Sequence, residues 1–71
     1  MNLVILKSDI DNKEKYLIVK SALDKHHFVR NWSVDMEDID KVLRIECSKD
    51  LTEVNTIQFM LALNIQCEQL V

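Results

Sequence analysis

The chain has 71 residues, 48% of them hydrophobic, and a formal net charge of -3. This length suits one domain, near the lower size limit for a hydrophobic core that is not reinforced by disulfides or metals. The hydrophobic content excludes a disordered chain. No apolar run approaches the roughly 20 residues of a membrane helix, and the basic residues are scattered, so we expect neither membrane insertion nor nucleic-acid binding. The start of the chain lacks a signal-peptide pattern, which predicts a cytoplasmic protein.

The first half of the chain reads as a strand followed by a helix. The apolar run at residues 3–7 is long enough for a buried strand and too short for a helix. Asp11 and Glu14 fit the acidic form of a capping box, which predicts a helix beginning near Asn12. Between residues 13 and 27 apolar side chains recur at three- and four-residue spacing opposite charged ones, as in an amphipathic helix.

Two alternating segments follow the helix. Residues 28–36 place Trp32 on an apolar face that we expect to join the core, and Arg30 interrupts the alternation, which predicts a bulge. Residues 41–48 alternate again, and the acidic segment 37–40 between the two forms a hairpin tip. The pattern predicts two adjacent antiparallel strands.

The last part of the chain repeats the order of helix and strand. Asp50 and Glu53 repeat the capping signature ahead of a second apolar, helix-spaced segment. The chain contains no glycine and no proline, so turns must use Asn, Asp or Ser. Asn64 can take the left-handed conformation that ends a helix, and residues 65–71 form a final short strand. We therefore expect one α+β domain covering residues 1–71, with the order βαββαβ.

This order in about 70 residues is that of the ferredoxin-like open-faced sandwich, in which two helices cover one face of a four-stranded antiparallel sheet. Residues 32–38 and 41–46 resemble the central hairpin of heavy-metal-associated domains, the small domains of copper chaperones and metal-pumping ATPases. The similarity continues through the second helix into residues 64–68. It implies the strand order 4-1-3-2.

The chain departs from that family at the residues that carry its chemistry. The family binds soft metals through Cys-x-x-Cys in the first loop, whereas the matching residues 9–15 contain no cysteine. Asp, Asn and Glu offer hard oxygen ligands, which do not replace thiolates for Cu(I). The resemblance therefore implies a degenerate member that lacks the family's metal ligands.

The two cysteines, Cys47 and Cys67, fall in the third and fourth strands. With the implied strand order, the first strand separates them by roughly 10 Å, beyond the about 7 Å that a disulfide allows. Cys47 should lie at the same end of the domain as His26 and His27, and these three side chains are acceptable ligands for Zn or Cu. The alternative is that the histidines simply favour the end of a helix through its dipole.

The opposite end of the domain collects acidic residues. One interpretation is a weak site for a hard cation, although the regular spacing of a calcium loop is missing. A second is a docking face for a basic partner, and a third is a solvated hairpin tip beside a helix cap. The residues are Asp9, Asp11, Glu37, Asp38 and Asp40.

No Ser, His and acid arrangement and no phosphate-binding glycine pattern appear in the sequence. We therefore expect a non-catalytic interaction module without a cofactor, which binds another protein through the acidic end or a sheet edge, including a second copy at an edge strand. The alternative is a Zn or Cu protein that uses Cys47 with His26 or His27. A small enzyme or ligand sensor would need a pocket between helices and sheet.

Overall fold

A computed structural model of the chain describes residues 2–70. Four strands and two helices follow one another in the expected order. They are β1 (Asn2–Ser8), α1 (Lys13–Asp24), β2 (Val29–Val34), β3 (Leu43–Cys47), α2 (Glu53–Ala62) and β4 (Cys67–Gln69).

The strands form one antiparallel sheet in the order β2-β3-β1-β4. The α+β class, the antiparallel sheet and the strand order are as predicted. The central strand β1 pairs with β3, where Val4 lies opposite Ile45, and with β4, where Lys7 lies opposite Glu68. Strands β2 and β4 are the two edges of the sheet.

One face of the sheet carries the core. Alternate residues of β1 and β3 are buried on this face, and buried residues of both helices join the same cluster, so both helices cover it. Ile10, Leu51 and Ile65, which lie in the loops between these elements, also belong to the core. The buried hydrophobic residues are Val4, Leu6, Ile10, Val19, Leu23, Leu43, Ile45, Cys47, Leu51, Met60 and Ile65.

The capping residues of the two helices lie one and two residues later in the chain than expected. In α1 the cap is Asn12, whose side chain accepts the N–H three residues on at 2.8 Å, so the assignment to Asp11 was wrong. In α2 the cap is Thr52, which accepts the corresponding N–H at 3.1 Å, and Asp50 instead belongs to the preceding turn with Ser48. Asp, Asn and Thr are all favourable N-cap residues, so the residue type does not decide which of two neighbours caps the helix. The backbone conformation decides it, and Asn12 and Thr52 have the extended backbone of a cap.

Helix α1 ends at Asp24, three residues before the expected end. The Asp24 carboxylate accepts a 2.9 Å hydrogen bond from Trp32 Nε1 and another from Lys20 Nζ at 2.9 Å. His26 and His27 therefore lie in the turn to β2 and not within the helix, which corrects the predicted position of this pair. Trp32 is half-buried and packs its ring 5.6 Å from that of Tyr16, on the core side as expected.

Strands β2, β3 and β4 are shorter than the sequence predicted. The predicted bulge at Arg30 is confirmed, because the register with β3 shifts between Val29 and Asn31. Strand β2 ends at Val34 and not at residue 36, since the chain enters a turn at once. The structure places β3 at residues 43–47 and β4 at residues 67–69, and the last residue of the predicted final strand lies outside the described chain.

Within residues 2–70, two residues have left-handed backbones. Asn64 has a φ of 66° at the end of α2, as predicted, and Lys41 has a φ of 45° in the β2–β3 loop, which the sequence did not indicate. A Cβ atom makes this conformation unfavourable by about 1–2 kcal/mol for most residues. Lys41 is therefore a point of backbone strain.

Replacing Lys41 with glycine should stabilise the protein by about 0.5–1 kcal/mol, after allowance for the greater freedom of glycine in the unfolded chain. Urea unfolding followed by Trp32 fluorescence measures the change. The matched control is Lys49→Gly, because Lys49 is an exposed turn lysine without a positive φ. That variant should lose about 0.5 kcal/mol, and an equal response of the two variants would contradict the assignment of strain.

The link between α1 and β2 should make stability depend on pH. The hydrogen bond from Trp32, followed by that from Lys20, holds the pKa of Asp24 below its ordinary value. A lowered pKa in the folded state stabilises the protein above the unfolded pKa of about 3.9, and this contribution is lost as pH falls through the folded pKa. The Asp24→Asn variant should be less stable than the parent at pH 7, and the difference should vanish near pH 2.

Urea unfolding followed by circular dichroism at a series of pH values tests this expectation. In a Trp32→Phe background the Asp24→Asn substitution should have a smaller effect, because the indole donor is gone. A difference between parent and Asp24→Asn that does not change with pH would show that the carboxylate's charge is irrelevant.

Candidate functional site

The two cysteines lie at opposite ends of β1. Cys47 is paired with Asn2 and Cys67 with Ser8, so they are separated by six residues along the strand, about 20 Å. Both are free thiols, as predicted, but the expected separation of roughly 10 Å was too small, because it counted the distance across β1 and not the distance along it. Any site that uses one of them therefore excludes the other.

The first end contains Cys47 and the turn with the two histidines. The Ser48 N–H donates to the Phe28 carbonyl at 2.8 Å, which joins the end of β3 to this turn. Cys47 is completely buried, and its Sγ lies 3.7 Å from each of the carbonyl oxygens of Asn2 and Leu51. Burial raises the pKa of the Cys47 thiol, so the thiolate that a metal requires is disfavoured.

The histidines have their own surroundings at this end. His26 Nδ1 accepts the N–H of Phe28 at 3.2 Å, and its ring packs edge-on against Phe59 with centroids 5.1 Å apart. His27 is exposed. Within residues 2–70 no group of three or more His, Cys, Asp or Glu side chains is placed to hold a metal ion.

Three loops meet at the opposite end. Ser8, the last residue of β1, donates its N–H to the Asp40 carbonyl at 3.0 Å and its hydroxyl to the Lys41 carbonyl at 2.6 Å. Asp9 exchanges two hydrogen bonds with Gln66, one through its backbone N–H and one through its carboxylate. We call this the acidic end, consisting of Asp9, Asp11, Glu37, Asp38, Ile39 and Asp40.

A lysine forms ion pairs with both carboxylates of the first loop of the acidic end. Lys15 Nζ lies 3.3 Å from Asp9 Oδ2 and 3.5 Å from Asp11 Oδ1, and it donates to the Asp9 carbonyl at 3.2 Å. Partial removal from water lowers the pKa of Lys15, but the hydrogen bond and charge of Asp9, with those of Asp11, outweigh this and raise it. The first turn of α1 thus supplies a cation to these carboxylates, which weakens the interpretation as a hard-cation site.

The β2–β3 loop is held by its own carboxylates. Asp35 Oδ1 accepts the N–H of Glu37 at 3.1 Å, and Asp38 Oδ1 accepts that of Asp40 at 2.8 Å. Between the last two lies Ile39, whose exposed fraction is 92%. The sequence pattern had predicted only an acidic hairpin tip here, although one apolar residue among three acidic ones was a visible signal.

The cavities near the acidic end are open at the surface. One of about 240 Å³ is lined by residues 7–9 and 66–68, and another of about 260 Å³ lies between the start of α1 and the end of α2. The first is lined by strand ends and loops and the second by the start of α1 and the turn after α2, whereas the helix–sheet interface is filled by the core side chains. Neither cavity is the helix–sheet pocket that a small enzyme or sensor would need.

Both thiols should react slowly in the folded protein. Burial, followed by the negative charge of Asp9, raises the pKa of Cys67 to about 11. Its alkylation rate should therefore rise about tenfold per pH unit between pH 8 and 10, because the thiolate is the nucleophile. Single-thiol variants, Cys47→Ser and Cys67→Ser, assign the rates. Rapid modification of Cys47 without denaturant would contradict its burial.

The same Cys47→Ser variant tests the alternative metal site. Because Cys47 is buried against backbone carbonyls, we expect Zn(II) and Cu(I) titrations, followed by calorimetry, to give equal results for the variant and the parent. Stoichiometric binding that disappears in the variant would contradict this expectation and establish Cys47 as a metal ligand.

No helix within residues 2–70 is long and apolar enough to cross a membrane. Comparison of the chain with protein-family models, with curated proteins and with solved structures gives no match in any of the three.

Proposed function

We propose that the chain is a non-catalytic protein-interaction module whose acidic end binds a basic partner protein. Its scaffold would be a ferredoxin-like sandwich that resembles a heavy-metal-associated domain without the thiol pair. The observation that carries the proposal is Ile39, an exposed apolar side chain presented by a fixed and strongly acidic loop.

The scaffold assignment is supported by the order of the strands. The order β2-β3-β1-β4, with helices between β1 and β2 and between β3 and β4, is compatible with the ferredoxin-like topology. In the metal-binding family the loop after β1 carries two thiolates. Here the same loop carries Asp9 and Asp11, with the Lys15 ammonium between them, which favours a role other than soft-metal transport.

The rigidity of the acidic loop favours binding. The carboxylates of Asp35 and Asp38 accept backbone N–H groups of the loop, and Ser8 donates two hydrogen bonds to it, so its backbone is fixed before any partner arrives. Binding of a partner therefore costs little conformational entropy of the loop, and a preorganised loop of this kind binds with higher affinity than a flexible one. An apolar anchor inside a charged rim is the usual anatomy of a small interface.

The charges of this end favour a basic partner. Glu37 and Asp40 make no ion pair within residues 2–70, in contrast to Asp9 and Asp11. Complementary charge accelerates encounter and selects against acidic partners. A segment with a lysine or arginine on each side of an apolar residue would fit both the carboxylates and Ile39.

A short peptide of alternating lysine and leucine is a defined probe, with a glutamate and leucine peptide as its charge control. Titration followed by amide chemical shifts should perturb residues 8–12 and 35–42 with the basic peptide only. The affinity should fall as salt rises, because exposed charges are screened. Equal binding of the two peptides, or shifts centred elsewhere, would refute the proposal.

The Ile39→Ser variant should weaken binding of the basic peptide about tenfold, as expected for loss of one partly buried aliphatic anchor. The matched control is Val54→Ser, because Val54 is another exposed aliphatic residue, with an exposed fraction of 61%, but lies on α2, away from the acidic end. Equal losses in the two variants would indicate non-specific apolar contact.

A further inference from the structure

The face of the sheet opposite the helices has an ordered pattern of side chains. Val4 and Leu6 of β1 point into the core, so Leu3 and Ile5 point to the open face. The exposed fraction of Leu3 is 52%, and Ile5 is half-buried. The apolar run at residues 3–7 had predicted a buried strand, so these apolar residues on an uncovered surface were not foreseen.

The strand register arranges this face in two rows. One row contains Leu3, with Glu46 opposite it on β3 and Asn31 beyond that on β2. Each row is therefore apolar on β1, charged on β3 and polar on β2. The second row contains Ile5, Arg44 and Ser33 in the same order.

Two copies of such a face complement each other. Consider a two-fold axis that lies between two facing sheets, parallel to both and perpendicular to their strands, at the level of the Val4–Ile45 pair. This axis places the Leu3 row of each copy over the Ile5 row of the other copy. Leu3 then meets Ile5 of the second copy, and Arg44 meets Glu46, with each contact made twice. The strands of the two sheets run nearly antiparallel, as in aligned sheet packing.

Both charged residues are available for these contacts. Arg44 and Glu46 are exposed, and within residues 2–70 neither forms an ion pair. The depression between them, about 40 Å³, is too small for a ligand. Arg44 and Glu46 lie on either side of the proposed two-fold axis. A second copy therefore places an opposite charge against each of them by symmetry, whereas an unrelated partner has no such constraint.

We propose that the chain forms a two-fold dimer through the open face of its sheet. In this arrangement β1, β3 and β2 overlap at the levels of residues 2–6 of β1, about 14 Å across the strands and about 16 Å along them, or about 230 Å² per copy, roughly a third of what each partner buries in a standard interface. The dimer is therefore weak and forms at high protein concentration. It leaves the acidic end free, and it does not use the edge of β2, where the bulge at Arg30 hinders strand pairing.

Sedimentation equilibrium over a wide concentration range measures this association. Arg44→Glu places a glutamate against Glu46 of the other copy, and Glu46→Arg places two arginines together, so each should weaken the dimer by about tenfold or more. The double variant with both substitutions should recover the parent's affinity, since the reciprocal pairs are restored in reverse. An equimolar mixture of the two single variants should associate more tightly than either alone.

Arg30→Glu is the matched control, because it reverses an exposed positive charge at the edge strand. It should leave the association unchanged. A parent that stays monomeric at about 1 mM, single variants that behave like the parent, or a double variant that fails to recover would each overturn the proposal. Circular dichroism of every variant verifies that the fold is retained.

Discussion

The structure depends on one constraint, which is that β1 pairs with strands on both of its sides. Because β3 and β4 flank it, β1 is central, and its alternation decides which face of the sheet becomes the core. Val4 and Leu6 are almost wholly removed from water on that face. At about 25 cal/mol per Å² of apolar surface, two such side chains stabilise the fold by a few kcal/mol.

The position of β1 also builds the acidic end. Its last residue, Ser8, bonds to the β2–β3 loop, and the next residue, Asp9, bonds to the segment that leads into β4. Three loops that are distant in sequence are thereby fixed against one strand end. The same strand presents Leu3 and Ile5 on the open face, so both proposed binding surfaces derive from its placement.

Much of this fold was legible in the sequence. The order of elements, the antiparallel hairpin, the bulge at Arg30 and the left-handed Asn64 follow from local patterns, because alternation, helical spacing and turn chemistry are short-range properties. The errors concerned the capping residues, the left-handed Lys41, the apolar residues on the open face and the boundaries of elements such as the end of α1. There the hydrogen bond from Trp32 to Asp24 joins the helix to a strand, and the sequence pattern does not reveal that contact.

The sequence by itself therefore determined the elements and their order, and its lack of a Cys-x-x-Cys pair removed the familiar soft-metal ligands. Only the tertiary structure decided which side chains became neighbours. It surrounded His26 with Phe28 and Phe59, enclosed Cys47 among backbone carbonyls, and left Ile39 outside the core. The reason is that burial and charge pairing depend on contacts between residues far apart in the chain, which no local pattern encodes.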